Sequence, residues 1–82
     1  MRKTLIYCKP EHNDIAKKLQ DNYIAHQKQV DIISKNMQDD IEYAREKKYD
    51  EAIFIEDPDV VIIHDIKSGY TNRCPITDVY YQ

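Results

Sequence analysis

Asp39-Asp40-Ile41-Glu42-Tyr43-Ala44-Arg45-Glu46-Lys47-Lys48 leads into Glu51-Ala52-Ile53-Phe54-Ile55-Glu56, then Val60-Val61-Ile62-Ile63-His64-Asp65, then Tyr70 to Pro75. The first run has the pattern of an amphipathic helix. Ile41 and Ala44, with Met37 before them, recur at helical spacing, acids load the N-terminal half, and Lys47 and Lys48 suit the C-terminal end. The second run is almost continuously apolar, as expected of a central strand covered on both faces. Asp57-Pro58-Asp59 and Lys67-Ser68-Gly69 are turn sequences. Connections of about three residues can only be hairpins, so the last two strands add antiparallel.

Working back toward the N-terminus, Thr4-Leu5-Ile6-Tyr7-Cys8 is a short β-branched and aromatic run that reads as a buried strand. Pro10 fits the approach to a helix, where its missing donor costs nothing. Glu11 and Asp14 place negative charge near the positive end of the helix dipole. Ile15, Ala16, Leu19, Tyr23 and Ile24 recur at helical spacing, with Lys17, Lys18, Gln20 and Asp21 on the wet face. Gln29 to Ser34 gives a second strand through Val30, Ile32 and Ile33, and Ser34 or Asn36 can cap the helix that follows. The order is β-α-β-α-β-β-β, an α/β chain with one mixed sheet. Right-handed crossovers make the first three strands parallel. A last helical turn is expected near Thr77-Asp78, before Val79-Tyr80-Tyr81.

Eighty-two residues form one domain over positions 1–82, in two or three layers. The formal charge of −3 and pI of about 5.5 leave no global positive field for a polyanion. Twelve Lys and Arg lie scattered among fifteen acids. A nucleic-acid role is therefore disfavoured, unless a local patch serves it. Cys8 and Cys74 sit on separate strands with no CxxC partner, a usage that fits the reducing cytoplasm; a disulfide would need those strands to be neighbours. No segment approaches the roughly 18 apolar residues that span a bilayer, and Met1-Arg2-Lys3-Thr4 does not open a signal peptide.

Catalytic motifs are missing. Gly69 is the only glycine, which excludes a dinucleotide fingerprint and a P-loop; its expected task is a positive φ in the last hairpin turn. His12, His26 and His64 have no metal-ligand spacing. His64 and Asp65 point to opposite faces of their strand and so form no dyad. Glu56, Asp57 and Asp59 around Pro58 read as a turn rather than a cation site. Cys8 could act as a nucleophile if a helix N-terminus faced it, and otherwise fills core. No catalytic, cofactor-binding or metal-binding residue is expected. Of the seven tyrosines, Tyr7, Tyr23 and Tyr43 fall on apolar runs. Tyr49, Tyr70, Tyr80 and Tyr81 are the candidate interface, because tyrosine buries area while keeping a polar handle.

Leu5-Ile6-Tyr7, Ala16-x-x-Leu19, Val30-Asp31-Ile32-Ile33, Ile41-x-Tyr43-Ala44-x-x-Lys47-Lys48, Ala52-Ile53-Phe54-Ile55, Val61-x-Ile63-x-Asp65-Ile66-x-x-Gly69 and Pro75-Ile76 follow in fixed order. In that order the chain resembles the anticodon-binding domain of class II aminoacyl-tRNA synthetases, that of histidyl-tRNA synthetase in particular. It is more similar to the corresponding C-terminal domain of a non-synthetase relative, the regulatory subunit of ATP phosphoribosyltransferase. Where the synthetase domain carries a glycine and basic residues, this chain has Ser34-Lys35-Asn36-Met37-Gln38-Asp39-Asp40, whose acids would repel a phosphate backbone. The resemblance implies a non-catalytic domain of histidine biosynthesis, without cofactor or metal. Its implied partners are the rest of the regulatory subunit and the catalytic ATP phosphoribosyltransferase subunit. The chain reads equally as an excised C-terminal domain or as a free-standing homologue. A tRNA anticodon-binding module and a small α/β enzyme using Cys8 are the alternatives.

Overall fold

The computed structural model describes residues 3–34 and 41–81, apart from the Ile41 side chain. Strand β1 (Lys3–Cys8) passes through a 3₁₀ turn at Pro10–His12 into helix α1 (Asn13–Ala25). Then come β2 (Gln29–Ser34), helix α2 (Ile41–Glu46), β3 (Glu51–Asp57), β4 (Val60–Asp65), β5 (Thr71–Pro75) and a closing 3₁₀ turn at Ile76–Asp78. The β-α-β-α-β-β-β order expected from the sequence is the order found. Asn36, Met37, Asp39 and Asp40 lie outside the described residues. Ser34 belongs to β2, in register with Cys8.

One mixed five-stranded sheet carries the fold, in the order β2-β1-β3-β4-β5. β1 runs parallel to both β2 and β3, and β4 and β5 add antiparallel. The first crossover steps outward from β1 to β2; the second steps back past β1 to β3. Crossovers of one hand taken in opposite directions put their helices on opposite faces. The result is three layers with two cores. Ile6, Cys8, Ile53, Ile55 and Val61 pack against Ala16, Leu19 and Tyr23 of α1, joined by Ile76 and Val79. On the other face Leu5, Tyr7, Ala52 and Phe54 pack with Ala44 of α2, Tyr49 and Ile66. Alternation along β1 and β3 assigns successive residues to the two cores, and Tyr7 stacks on its register partner Phe54 at 4.9 Å between ring centroids.

Ile24 departs from expectation. It is 54% exposed, because the buried stripe of α1 runs through Ala16, Leu19 and Tyr23 and the next residue is rotated about 100° away from it. Cys8 and Cys74 are both free thiols. β3 and β4 lie between their strands, so no disulfide can form between them. No helix among the described residues is long and apolar enough to cross a membrane.

The last described residues are tied back to α1. Tyr23 Oη donates to the Val79 carbonyl at 3.0 Å. Asn22 donates to the Tyr81 carbonyl at 3.0 Å and accepts from the Tyr81 amide at 2.8 Å. Gly69 has φ +77°, as its turn role requires, but Gln27 and Lys48 adopt φ 63° without being glycine. Each follows a helix at the position where glycine is usual. Replacing Gln27, an exposed residue, by glycine should raise stability by up to about 1 kcal/mol in denaturant titration. Ile53→Ala, at a fully buried position of β3, should lower it by about 2–5 kcal/mol.

Candidate functional site

Helix α2 ends in a left-handed turn at Lys48. The Lys47 amide donates to the Tyr43 carbonyl at 3.0 Å, and the Tyr49 amide to the Ala44 carbonyl at 2.9 Å. The turn folds Tyr49 inward. Tyr49 was expected at the surface, yet it is 7% exposed, and its hydroxyl donates to Asp31 Oδ2 at 2.6 Å. Burial chiefly, then this hydrogen bond and the charge of Asp31, push its phenol well above the ordinary value. The Lys3 ammonium lies over the ring, 4.4 Å from its centroid. Tyr49 is a packing residue because the pairing partner for its hydroxyl comes from β2, 18 residues earlier.

Asp50 next to it knots three segments together. Its amide donates to the Lys3 carbonyl at 2.8 Å and its carboxylate accepts from the Lys3 amide at 2.7 Å. Its carbonyl accepts from the Ile66 amide at 3.1 Å. Between these segments opens a cleft of about 500 Å³, lined by Arg45, Lys48, Tyr49, Asp50, Ile66 and Lys67. Lys3 and Lys47 flank it, the Lys3 ammonium donating to the Lys47 carbonyl at 3.2 Å. Cations that are scattered in sequence are thus gathered at one end of the sheet. The run Arg45, Lys47, Lys48 was the visible part of this patch. Lys3 and Lys67 join it only through strand pairing, which periodicity does not reveal.

The other candidate tyrosines are dispersed. Tyr70, 65% exposed, stands in the β4–β5 turn. Tyr80 and Tyr81 are half-buried against the α1-side core. The Tyr81 ring meets Tyr23 edge-on at 4.8 Å and lies 5.4 Å from the His26 ring. No common surface unites the four.

Cys8 is buried, and desolvation raises its thiol pKa, with a hydrogen bond to Ser34 pulling the other way. Cys74 is raised too, by burial and by Asp78. A nucleophilic cysteine needs the opposite shift. His64 Nδ1 lies 2.8 Å from Thr71 Oγ1, its cross-strand neighbour, and not against Asp65. Asp57, Pro58 and Asp59 form the β3–β4 turn, where Glu56 pairs with Arg73 at 3.1 Å. Among the described residues no group of three or more His, Cys, Asp or Glu could hold a metal ion.

No model of a known protein family matches the chain, and no curated protein matches it.

Two outcomes follow from this geometry. The folded Tyr49 phenol holds its proton more tightly than the unfolded one, whose pKa is about 10. Its stabilisation is therefore complete below pH of about 10 and declines as pH rises beyond that. Tyr49→Phe should cost about 1–3 kcal/mol near neutrality and remove that alkaline decline, as read by denaturation across pH. Cys8 should resist an alkylating reagent in the native protein and react once the chain is unfolded.

Proposed function

We propose that the chain is a non-catalytic docking domain of the histidine-biosynthetic type: the C-terminal domain of the regulatory subunit of ATP phosphoribosyltransferase. One observation carries this. The sequence runs that resemble that domain fall on successive elements of a single mixed sheet, Leu5-Ile6-Tyr7 on β1, Val30 to Ile33 on β2, Ala52 to Ile55 on β3 and Val61 to Asp65 on β4. The chain then acts by binding the rest of the subunit and the catalytic subunit, in the cytoplasm, where its two thiols stay reduced. The raised thiol pKa of Cys8 argues against the cysteine-enzyme alternative.

The tRNA-binding alternative has one observation in its favour, the cations gathered around Arg45, Lys48 and Lys67. Against it stand the net charge of −3 and the acids Asp39, Asp40 and Glu42.

Titrating the chain against the remainder of the subunit and against the catalytic subunit should show association, and the chain alone should not turn over ATP with phosphoribosyl pyrophosphate. Tyr70→Ala should weaken the association by about 2 kcal/mol or more and leave thermal stability unchanged. Turnover by the chain alone, or no association with either partner, overturns the proposal. Salt-sensitive, sequence-selective binding of histidine tRNA at physiological ionic strength would replace it with the anticodon-binding reading.

A further inference from the structure

The cleft between the end of α2 and the β4–β5 turn has a chemistry that docking does not use. It is lined by Ile66 and Tyr49, both largely buried, and by the exposed cations Arg45, Lys48 and Lys67. The carboxylates nearby are already engaged. Asp50 accepts from the Lys3 amide at 2.7 Å, Asp65 from the Lys67 amide at 3.1 Å, Asp31 from the Tyr49 hydroxyl at 2.6 Å, and Glu42 pairs with Arg45 at 2.8 Å. Among the described residues no carboxylate pairs with the ammonium of Lys48 or Lys67. Both lysines stand on fixed backbone. Lys48 occupies the left-handed turn, and Lys67 sits in a loop closed by the Asp65–Tyr70 and Gly69–Asp65 backbone bonds, at 2.8 and 2.9 Å.

We propose that this cleft binds a phosphorylated small molecule of the class of nucleoside monophosphates. A phosphate monoester carries about −1.5 to −2 charge at neutral pH and offers three acceptor oxygens, a match for two unpaired ammonium groups. Arg45 adds a third donor at little cost, because its bond to Glu42 is an exposed pair, and such pairs contribute little. The faces of the base, the least polar part of the nucleoside, lie against Ile66 and Tyr49. A volume of about 500 Å³ lies within the range of small-ligand sites, roughly 300–1,000 Å³. Lys48 is held at φ 63°, where it is less favourable for the fold than glycine would be.

That strain supplies a variant whose folding and binding effects have opposite signs. Lys48→Gly relieves the backbone and removes a cation, so it should melt at or above the temperature of the unaltered chain while binding more weakly. Amide chemical shifts of the full chain, followed during titration with uridine 5′-monophosphate, should move at Lys48, Tyr49, Ile66 and Lys67 and saturate with a Kd of about 1 mM or tighter. Uridine and inorganic phosphate should each bind about tenfold or more weakly, as should the nucleotide to Lys48→Gly and to Lys67→Gln. The proposal is overturned if the nucleotide does not saturate, if inorganic phosphate binds as well as it does, or if both variants bind unchanged. Tighter binding of a short oligouridylate than of the mononucleotide overturns it in favour of a nucleic-acid backbone. None of these readouts involves the regulatory subunit or its catalytic partner, so this site stands or falls separately from the docking role.

Discussion

Strands β1 and β3 lie side by side in parallel register, Leu5 beside Ala52, Ile6 beside Ile53, Tyr7 beside Phe54, and neither has a polar face. A pair of strands apolar on both sides must be covered on both sides, since each exposed face would forgo about 25 cal/mol per Å² of apolar burial. That demand explains the rest of the architecture. It requires a helix above and a helix below, hence two crossovers taken in opposite directions. It places β1 and β3 inside the sheet, so the edges fall to β2 and β5, whose side chains are more polar. β5, with five residues and little buried surface, is the short, polar edge that discourages pairing with another sheet.

Elements whose apolar pattern is local were legible in the sequence. β2 and β4 fall on the expected residues, and β3 and β1 differ by one residue at an end. Gly69 was legible because positive φ has few sequence solutions. Gln27 and Lys48 were not, since a polar residue in the left-handed region carries no sequence mark. Ile24 shows the weakness of spacing alone: it fits a loose helical period, but α1 buries one narrow stripe. Tyr49 shows a different limit. Its neighbours Lys48 and Asp50 gave it the look of a surface residue, whereas its environment is set by Asp31 and Lys3, which the sheet brings from other strands.

The candidate cleft was illegible for the same reason. Charge counted along the chain averages to a small negative value, and the field at any one place depends on which charges the fold brings together. Strand β1 delivers Lys3, the α2 terminus delivers Arg45, Lys47 and Lys48, and the last hairpin delivers Lys67. Of the neighbouring acids, Asp50 and Asp65 accept from backbone amides, Asp31 accepts from tyrosine, and Glu42 pairs with Arg45. Only the contiguous part of this group could be read from sequence, where it served equally well as a favourable set of cations at a helix C-terminus.

The two faces of the sheet are built for different work. Beside α1, the last described residues are tied down: Asn22 grips the Tyr81 backbone in both directions, Tyr23 holds Val79, and the Tyr81 ring lies against Tyr23 and His26. These bonds join residues more than fifty positions apart and bring the closing turn into the α1-side core, so Ile76 and Val79 help to bury the face that α1 alone would leave open. On the α2 side the described helix, Ile41–Glu46, brings Ala44 to the face. The second core is completed by Tyr49 and Ile66, residues of turns, and a space remains between them. A face closed by turns is one whose shape depends on few backbone hydrogen bonds, here those of Asp50 with Lys3 and Ile66. That is where binding residues gather on rigid folds: the sheet fixes the ends of the turns, and the turns carry the charge.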